Sequence, residues 1–290
     1  MCRFKSGIIL KSKIVVAQGD NDSHSDLLES LGIKDDYMGA SKTFVRAELV
    51  PKNNEWWVNP QESPDSWNFI VDQDITPDWF DKDEHEKLFR EAVCSWWNEH
   101  VLVDKKIDIL SDGYYRLKRC EVKKLCNDVK VMCGSSTVQV MYDSSTVQEM
   151  YGSSTVQEMY DSSTVQVMCD SSTVQVMCGS STVQVMCDSS TVQVMCGSST
   201  VQKMYGSSTV QVMYGSSTVQ KMCGSSTVQK MYDSSTVQEM YDSSTVQEMY
   251  DSSTVQEMYD NTIARDYENE VVRISSDSAL NVIQHENKEK

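Results

Sequence analysis

The sequence predicts an α+β N-terminal domain joined to an all-β parallel β-solenoid with two nine-residue repeats per coil. Three observations carry that reading. Ser-Ser-Thr-Val-Gln recurs with a strict period of nine, its valine falling at every ninth position from Val138 to Val255. Nine residues are 2.5 helical turns, so an apolar residue at that spacing would alternate between opposite faces of a helix. All six Trp and all four Pro precede the repeats. Thr and Val favour strands, and Gly or Asp before Ser-Ser favours a turn. One nine-residue unit is too short to close around a core, whereas two supply two strands and two turns, stacked at about 4.8 Å.

The N-terminal α+β capping domain is assigned to residues 1–113. Gly7–Leu10 and Lys13–Gln18 read as strands joined by a tight turn. Ser23 caps a short helix, with Asp26 three residues on, and Gly32 stops it. Thr43–Val50 and Trp67–Asp72 read as strands. Thr76-Pro77-Asp78 reads as a helix start with Pro in the first position. The helix runs from Asp83 to His100 with an apolar stripe of Leu88, Phe89, Ala92, Val93, Trp96 and Trp97.

Residues 114–133 form a transition into the solenoid, where Val122-Lys-Lys-Leu125 copies the Val-x-x-Met spacing of the repeat. Residues 118–133 carry net +3, a basic collar. The nonapeptide solenoid spans 134–266. A C-terminal cap and acidic tail follow at 267–290, with Val271, Val272, Ile274, Leu280, Val282 and Ile283 as an apolar flap.

The consensus unit is Asp/Gly-Ser-Ser-Thr-Val-Gln-x-Met-Tyr/Cys. Val and the second Ser should point inward, and Thr and Gln outward, by strand alternation. Strict alternation would then bury x, which is Glu or Lys in eight of the fourteen copies. A charge in so narrow a core is untenable. The chain is therefore expected to bend after Gln, turning Met inward. Residues eighteen apart should stack, placing Lys230 over Glu248, Lys221 over Glu239, and Glu239 over Glu257.

Composition bounds the function. The 290 residues carry 43 acidic and 26 basic side chains, a net charge of −17. No stretch approaches the ~18 apolar residues of a membrane helix. The opening residues lack the apolar core of a signal peptide, so a cytoplasmic location is expected. Of ten cysteines, six occupy the Tyr/Cys slot, interchangeable with Tyr, which predicts free thiols rather than a disulfide framework. No cofactor-binding motif is read.

Candidate chemistry is sparse. Cys2 would become an N-terminal nucleophile if Met1 were removed, beside its own amine, although Arg3 follows where such enzymes carry Gly. Asp20, Asp22, His24 and Asp26 space four ligand-type side chains at two-residue steps. They resemble half a calcium loop without its glycine or closing glutamate. Asp72, Asp74, Asp78, Asp81 and Asp83 cluster around Trp79, where helix starts favour acids anyway. The outward ladders are the binding candidates: Thr137, Gln139, Thr155, Gln157, Thr173, Gln175, Thr191 and Gln193, with Tyr142 and Tyr160.

The segments MCRFKSGIIL, SHSDLLESLGI, KTFVRAEL and VDQDITPDW resemble a group of uncharacterised bacterial and phage-associated proteins. In these a short N-terminal domain precedes nonapeptide repeats with a Thr-Val core. The resemblance implies an intracellular bacterial or phage setting and no particular activity.

The expected function is a non-enzymatic, intracellular protein-interaction scaffold or decoy with a protein partner. A homodimer through the C-terminal end is a further expectation. One alternative is an N-terminal-domain hydrolase using Cys2, with the solenoid as targeting arm. A second is an acidic DNA-mimic inhibitor. The fourteen copies carry twelve acids against three lysines. That is far sparser than duplex DNA at one charge per ~1.7 Å, and it disfavours direct nucleic-acid binding.

Overall fold

A computed structural model describes residues 4–19, 21–127, 129–267, 271–276 and 279–284. The chain divides into two compact units, Met1–Leu102 and Val103–Lys290.

The first unit is α+β. Strands β1 (Lys5–Leu10), β2 (Lys13–Val16), β3 (Phe44–Pro51) and β4 (Trp67–Val71) form an antiparallel sheet in the order β2-β1-β3-β4. Helix α1 (His24–Ser30) starts where Ser23 accepts a hydrogen bond from the Asp26 N–H. It stops before Gly32, whose φ of +68° suits a residue without Cβ. A short α2 (Tyr37–Lys42), capped by Asp36, was not expected. Ile8, Leu28, Ala40 and Phe44 pack together beneath these helices.

Helix α3 (Lys82–His100) buries Phe89, Val93, Trp96 and Trp97 as the apolar stripe predicts, but Leu88 is exposed. Its cap is Asp81, which accepts from the Glu84 N–H at 2.9 Å. The predicted start at Thr76-Pro77 lies in the preceding loop, because the side chain that satisfies the first-turn N–H groups comes four residues after Pro77.

A short strand, β5 (Val101–Val103), carries the chain from one unit to the next. The second unit is a parallel β-solenoid. Its coils begin with β6 (Lys106–Leu110), β7 (Gly113–Lys118), β8 (Glu121–Leu125) and β9 (Val129–Gly134), the first two starting no later than the boundary at 113 read from sequence. In these coils Ile107 pairs with Val122, and Val122 with Val138, at spacings of fifteen and sixteen residues. The short coils hide from a search for a period of nine.

The fourteen repeat copies then supply β10 (Thr137–Met141) to β23 (Thr254–Met258), one strand per copy running from Thr to Met, or to Tyr151 in the second copy. Even-numbered strands build one sheet and odd-numbered strands the other. From Thr137 onward like pairs with like, eighteen residues apart, as in Thr173↔Thr191 and Met177↔Met195.

Along each strand Val is buried, as is Met in every copy but the last, where Met258 is half-exposed; Thr, Gln and x are outward and mostly half-exposed. The ladder pairs Thr, Val, x and Met but skips Gln. This is the bend that restores the parity and keeps the charged x residues out of the core. From the second copy on, the Asp/Gly slot adopts positive φ, +56° at Asp143 and +66° at Gly197 for example, whereas in the first copy Ser135 takes that conformation in place of Gly134. Gly and Asp are both suited to that left-handed corner, which is why the slot accepts only these two.

The last coil ends in a hairpin. Strand β24 (Ile263–Asp266) continues the even sheet, and β25 (Val271–Ser276) and β26 (Ala279–Gln284) add to it antiparallel. Ser275 also reaches the odd sheet, its hydroxyl donating to the Met258 carbonyl at 3.2 Å.

Candidate functional site

The solenoid faces carry the predicted ladders. Thr137, Gln139, Thr155, Gln157, Thr173, Gln175, Thr191 and Gln193 all lie half-exposed on the outer face of the even sheet. Successive coils are 4.8 Å apart, measured between Cα atoms of Cys178 and Cys196. Tyr142 and Tyr160 stack with ring centres 5.5 Å apart. Tyr214, Tyr232 and Tyr250 extend the same arrangement further along the edge. Several of these phenols are anchored: Tyr160 donates to Glu158, and Tyr250 to Glu248.

The charge ladders stand as read. Lys230 pairs with Glu248 at 2.9 Å and Lys221 with Glu239 at 3.7 Å. Glu239 stands directly beside Glu257. On the even sheet x is uncharged through Val176, Val194 and Val212; on the odd sheet Val167 and Val185 are followed by Lys203 and Lys221. Two residues of the basic collar pair within its own coils: Arg119 holds Asp104 at 2.6 Å and Lys123 holds Asp108 at 2.6 Å. From Asp161 on, the corner aspartates tie coils together by accepting from the N–H one coil earlier; Gly215 donates to Asp233 at 2.8 Å.

The cysteine slot behaves differently from the free-thiol expectation. Cys178 and Cys196 are joined by a disulfide along one edge. Their Cα separation of 4.8 Å, set by the coil rise, lies within disulfide reach. Cys169 and Cys187 form the matching pair on the other edge as thiols. Burial and the neighbouring Cys187 thiol push Cys169 up to about 12.

In the first unit, Cys2 and Asp20 lie outside the described residues. Asp22 is buried and paired with the equally buried Lys5 at 2.9 Å. Asp26 is exposed, accepting from Asn21 at 2.6 Å. The half calcium loop therefore does not converge: Asp22 turns inward and Asp26 outward. His24 joins two residues from elsewhere instead, Glu48 on β3 and Asp72 after β4, with ligand atoms of all three within 4.8 Å.

Glu48 carries no sequence signal beyond its place on a strand, so reading the chain in order misses it. Its carboxyl is pushed up to about 7 by burial and by the nearby Asp72 and Asp22 carboxylates. Asp81 of the predicted aspartate group caps α3. A cleft of about 820 Å³ runs beside α3 along Pro60–Pro64, with Glu86, Arg90 and Cys94 in its wall. Burial pushes the Cys94 thiol up, which makes it a poor nucleophile at neutral pH.

Among the described residues, no helix is long and apolar enough to cross a membrane. No protein-family model, curated protein or solved structure matches the chain.

Proposed function

We propose that the solenoid is a non-enzymatic scaffold that binds a protein partner along its length. One observation carries this reading: the same outward Thr and Gln side chains recur on coil after coil, in one orientation, at a 4.8 Å step. That step matches the spacing of neighbouring strands in any β-structure, so the surface suits a partner that is itself extended or repeated. The uncharged stretch of the even face, with Val176, Val194 and Val212, offers the least costly surface to dry. The acidic corners and flanking charged coils discourage nucleic acid and anionic membrane. The resemblance of the opening residues to bacterial and phage-associated proteins supports an intracellular setting. The outer strand of the C-terminal hairpin is the edge through which a second copy would pair.

The test places a photo-crosslinking amino acid at Gln193 in the full chain, expressed in its native cells, with Gln61 as control. A discrete protein adduct at Gln193, lost on Val194→Glu while circular dichroism is unchanged, supports the scaffold. No adduct at Gln193 or at Gln175 overturns it.

A further inference from the structure

We propose that His24, Glu48 and Asp72 bind a divalent first-row transition-metal ion in the N-terminal unit. Their ligand atoms already lie within 4.8 Å of one another. They come from three separated parts of the chain, held by the sheet. Glu48 sits on β3 between Ser6 and Ile70 of the neighbouring strands. Asp72 directly follows β4, its N–H bonded to the Arg46 carbonyl at 2.9 Å. His24 is the first residue of α1, fixed by the Ser23 cap.

The histidine supplies the independent observation. Its side chain is only 9% exposed, and Nε2 lies 3.2 Å from the Ala47 carbonyl oxygen. A carbonyl only accepts, so Nε2 carries the proton. Neutral imidazole then has its lone pair on Nδ1, and Nδ1 points at Asp72 Oδ2, 3.3 Å away. A ring nitrogen donating to a backbone carbonyl while the other faces carboxylates is the arrangement that orients metal-binding histidines. In that neutral form two acceptors face each other across the gap, and a cation between them removes the conflict. A doubly protonated His24 would satisfy the same contacts, and the experiment below separates the two.

Charge points the same way. The neighbouring Asp22 is neutralised by Lys5, and Arg46 is engaged with Asp35. Among the described residues no Lys or Arg pairs with Glu48 or Asp72, leaving two carboxylates for a dication to balance. One nitrogen and two oxygens suit Mn²⁺ or Zn²⁺ better than Ca²⁺, which takes oxygen shells, or Cu⁺, which takes sulfur. Asp72 is 57% exposed, so the ion has an entry path and room for water ligands.

The test titrates Mn²⁺ into the tag-free full chain, following free Mn²⁺ by electron paramagnetic resonance. Mn²⁺ ignores the solenoid thiols, which would compete for Zn²⁺. Calorimetry with Zn²⁺ on thiol-alkylated protein is the second arm. One bound ion per chain is expected, weakened at least tenfold by Asp72→Asn and by Glu48→Gln. Asp72→Asn alters an exposed side chain and preserves the fold, which circular dichroism checks; His24→Gln is the harsher variant. No binding of either ion overturns the proposal. So does binding unaffected by Asp72→Asn and Glu48→Gln, or a His24 imidazolium at pH 7.5 whose NMR signals ignore added metal.

Discussion

The carboxylate of Asp242 accepts a hydrogen bond from the backbone N–H of Gly224, one coil earlier, at 2.7 Å. Both residues occupy the same corner slot, with φ of +59° and +67°. Asp therefore does two things there that Gly cannot do together: it tolerates the left-handed corner and ties one coil to the last. Gly197 sits over Gly179, a step without such a tie. Gly197→Asp is expected to be neutral or stabilising by about 0.5 kcal/mol, within the net value of a hydrogen bond. Gly197→Ala gains no tie and should cost about 1 kcal/mol for the left-handed backbone. Urea melts of the two variants check the order.

Val192 and Gln193 are adjacent but face opposite ways. Val192 is fully buried and Gln193 half-exposed. Val192→Asp should destabilise by about 3 kcal/mol or more, because it buries an unpaired charge. Gln193→Ala should stay within about 0.5 kcal/mol. Equal shifts in denaturant midpoint would mean that the facing is wrong.

Glu48 makes the first unit sensitive to pH. Its carboxyl is pushed up to about 7, from an ordinary value of 4.5, by burial and then by Asp72 and Asp22. The folded state therefore holds this proton more tightly than the unfolded chain does. Stability from this group is full below pH 4.5 and is lost as the pH rises through 7. Glu48→Gln should raise the melting temperature at pH 8 and lose that advantage at pH 4. Melts in EDTA at both pH values measure this, and a constant difference would contradict it.

Truncation after Tyr259 removes β24 and the hairpin and leaves the ends of both sheets open. Unpaired strand edges template association. Light scattering should report filaments or aggregates for the truncated chain. A monodisperse product with the same oligomeric state as the full chain would show that the hairpin neither protects an edge nor joins two copies.

The solenoid was legible because a single constraint, keeping Glu and Lys out of a narrow core, fixes the facing of every residue in the unit. Val138, Gln139 and Met141 follow from it without further information. The coils at 106–133 were partly legible. Val122 and Leu125 show the spacing, but Ile107 and Tyr114 meet their partners at fifteen- and sixteen-residue steps that no period reveals. Pro77 misled because a favourable first-turn residue is not itself a cap; Asp81 is. The His24–Glu48–Asp72 grouping could not be read, since it is made by the pairing of β3 with β4 and by the placement of α1. The Cys178–Cys196 bond depends on side-chain placement along a column, whereas interchange with Tyr pointed to free thiols.

Alternate copies belong to alternate sheets, so the side on which the chain emerges is decided by whether the copy number is odd or even. With fourteen copies, β24 and its hairpin join the even sheet, the one containing β10. Gain or loss of one nine-residue phrase, an easy accident for a sequence so uniform, would leave every corner and core contact intact. It would nevertheless deliver the hairpin to the opposite flank. Gain or loss of two would merely lengthen or shorten the rod by one rung. Length in this molecule can drift in pairs, while a single step reverses the handed placement of its end.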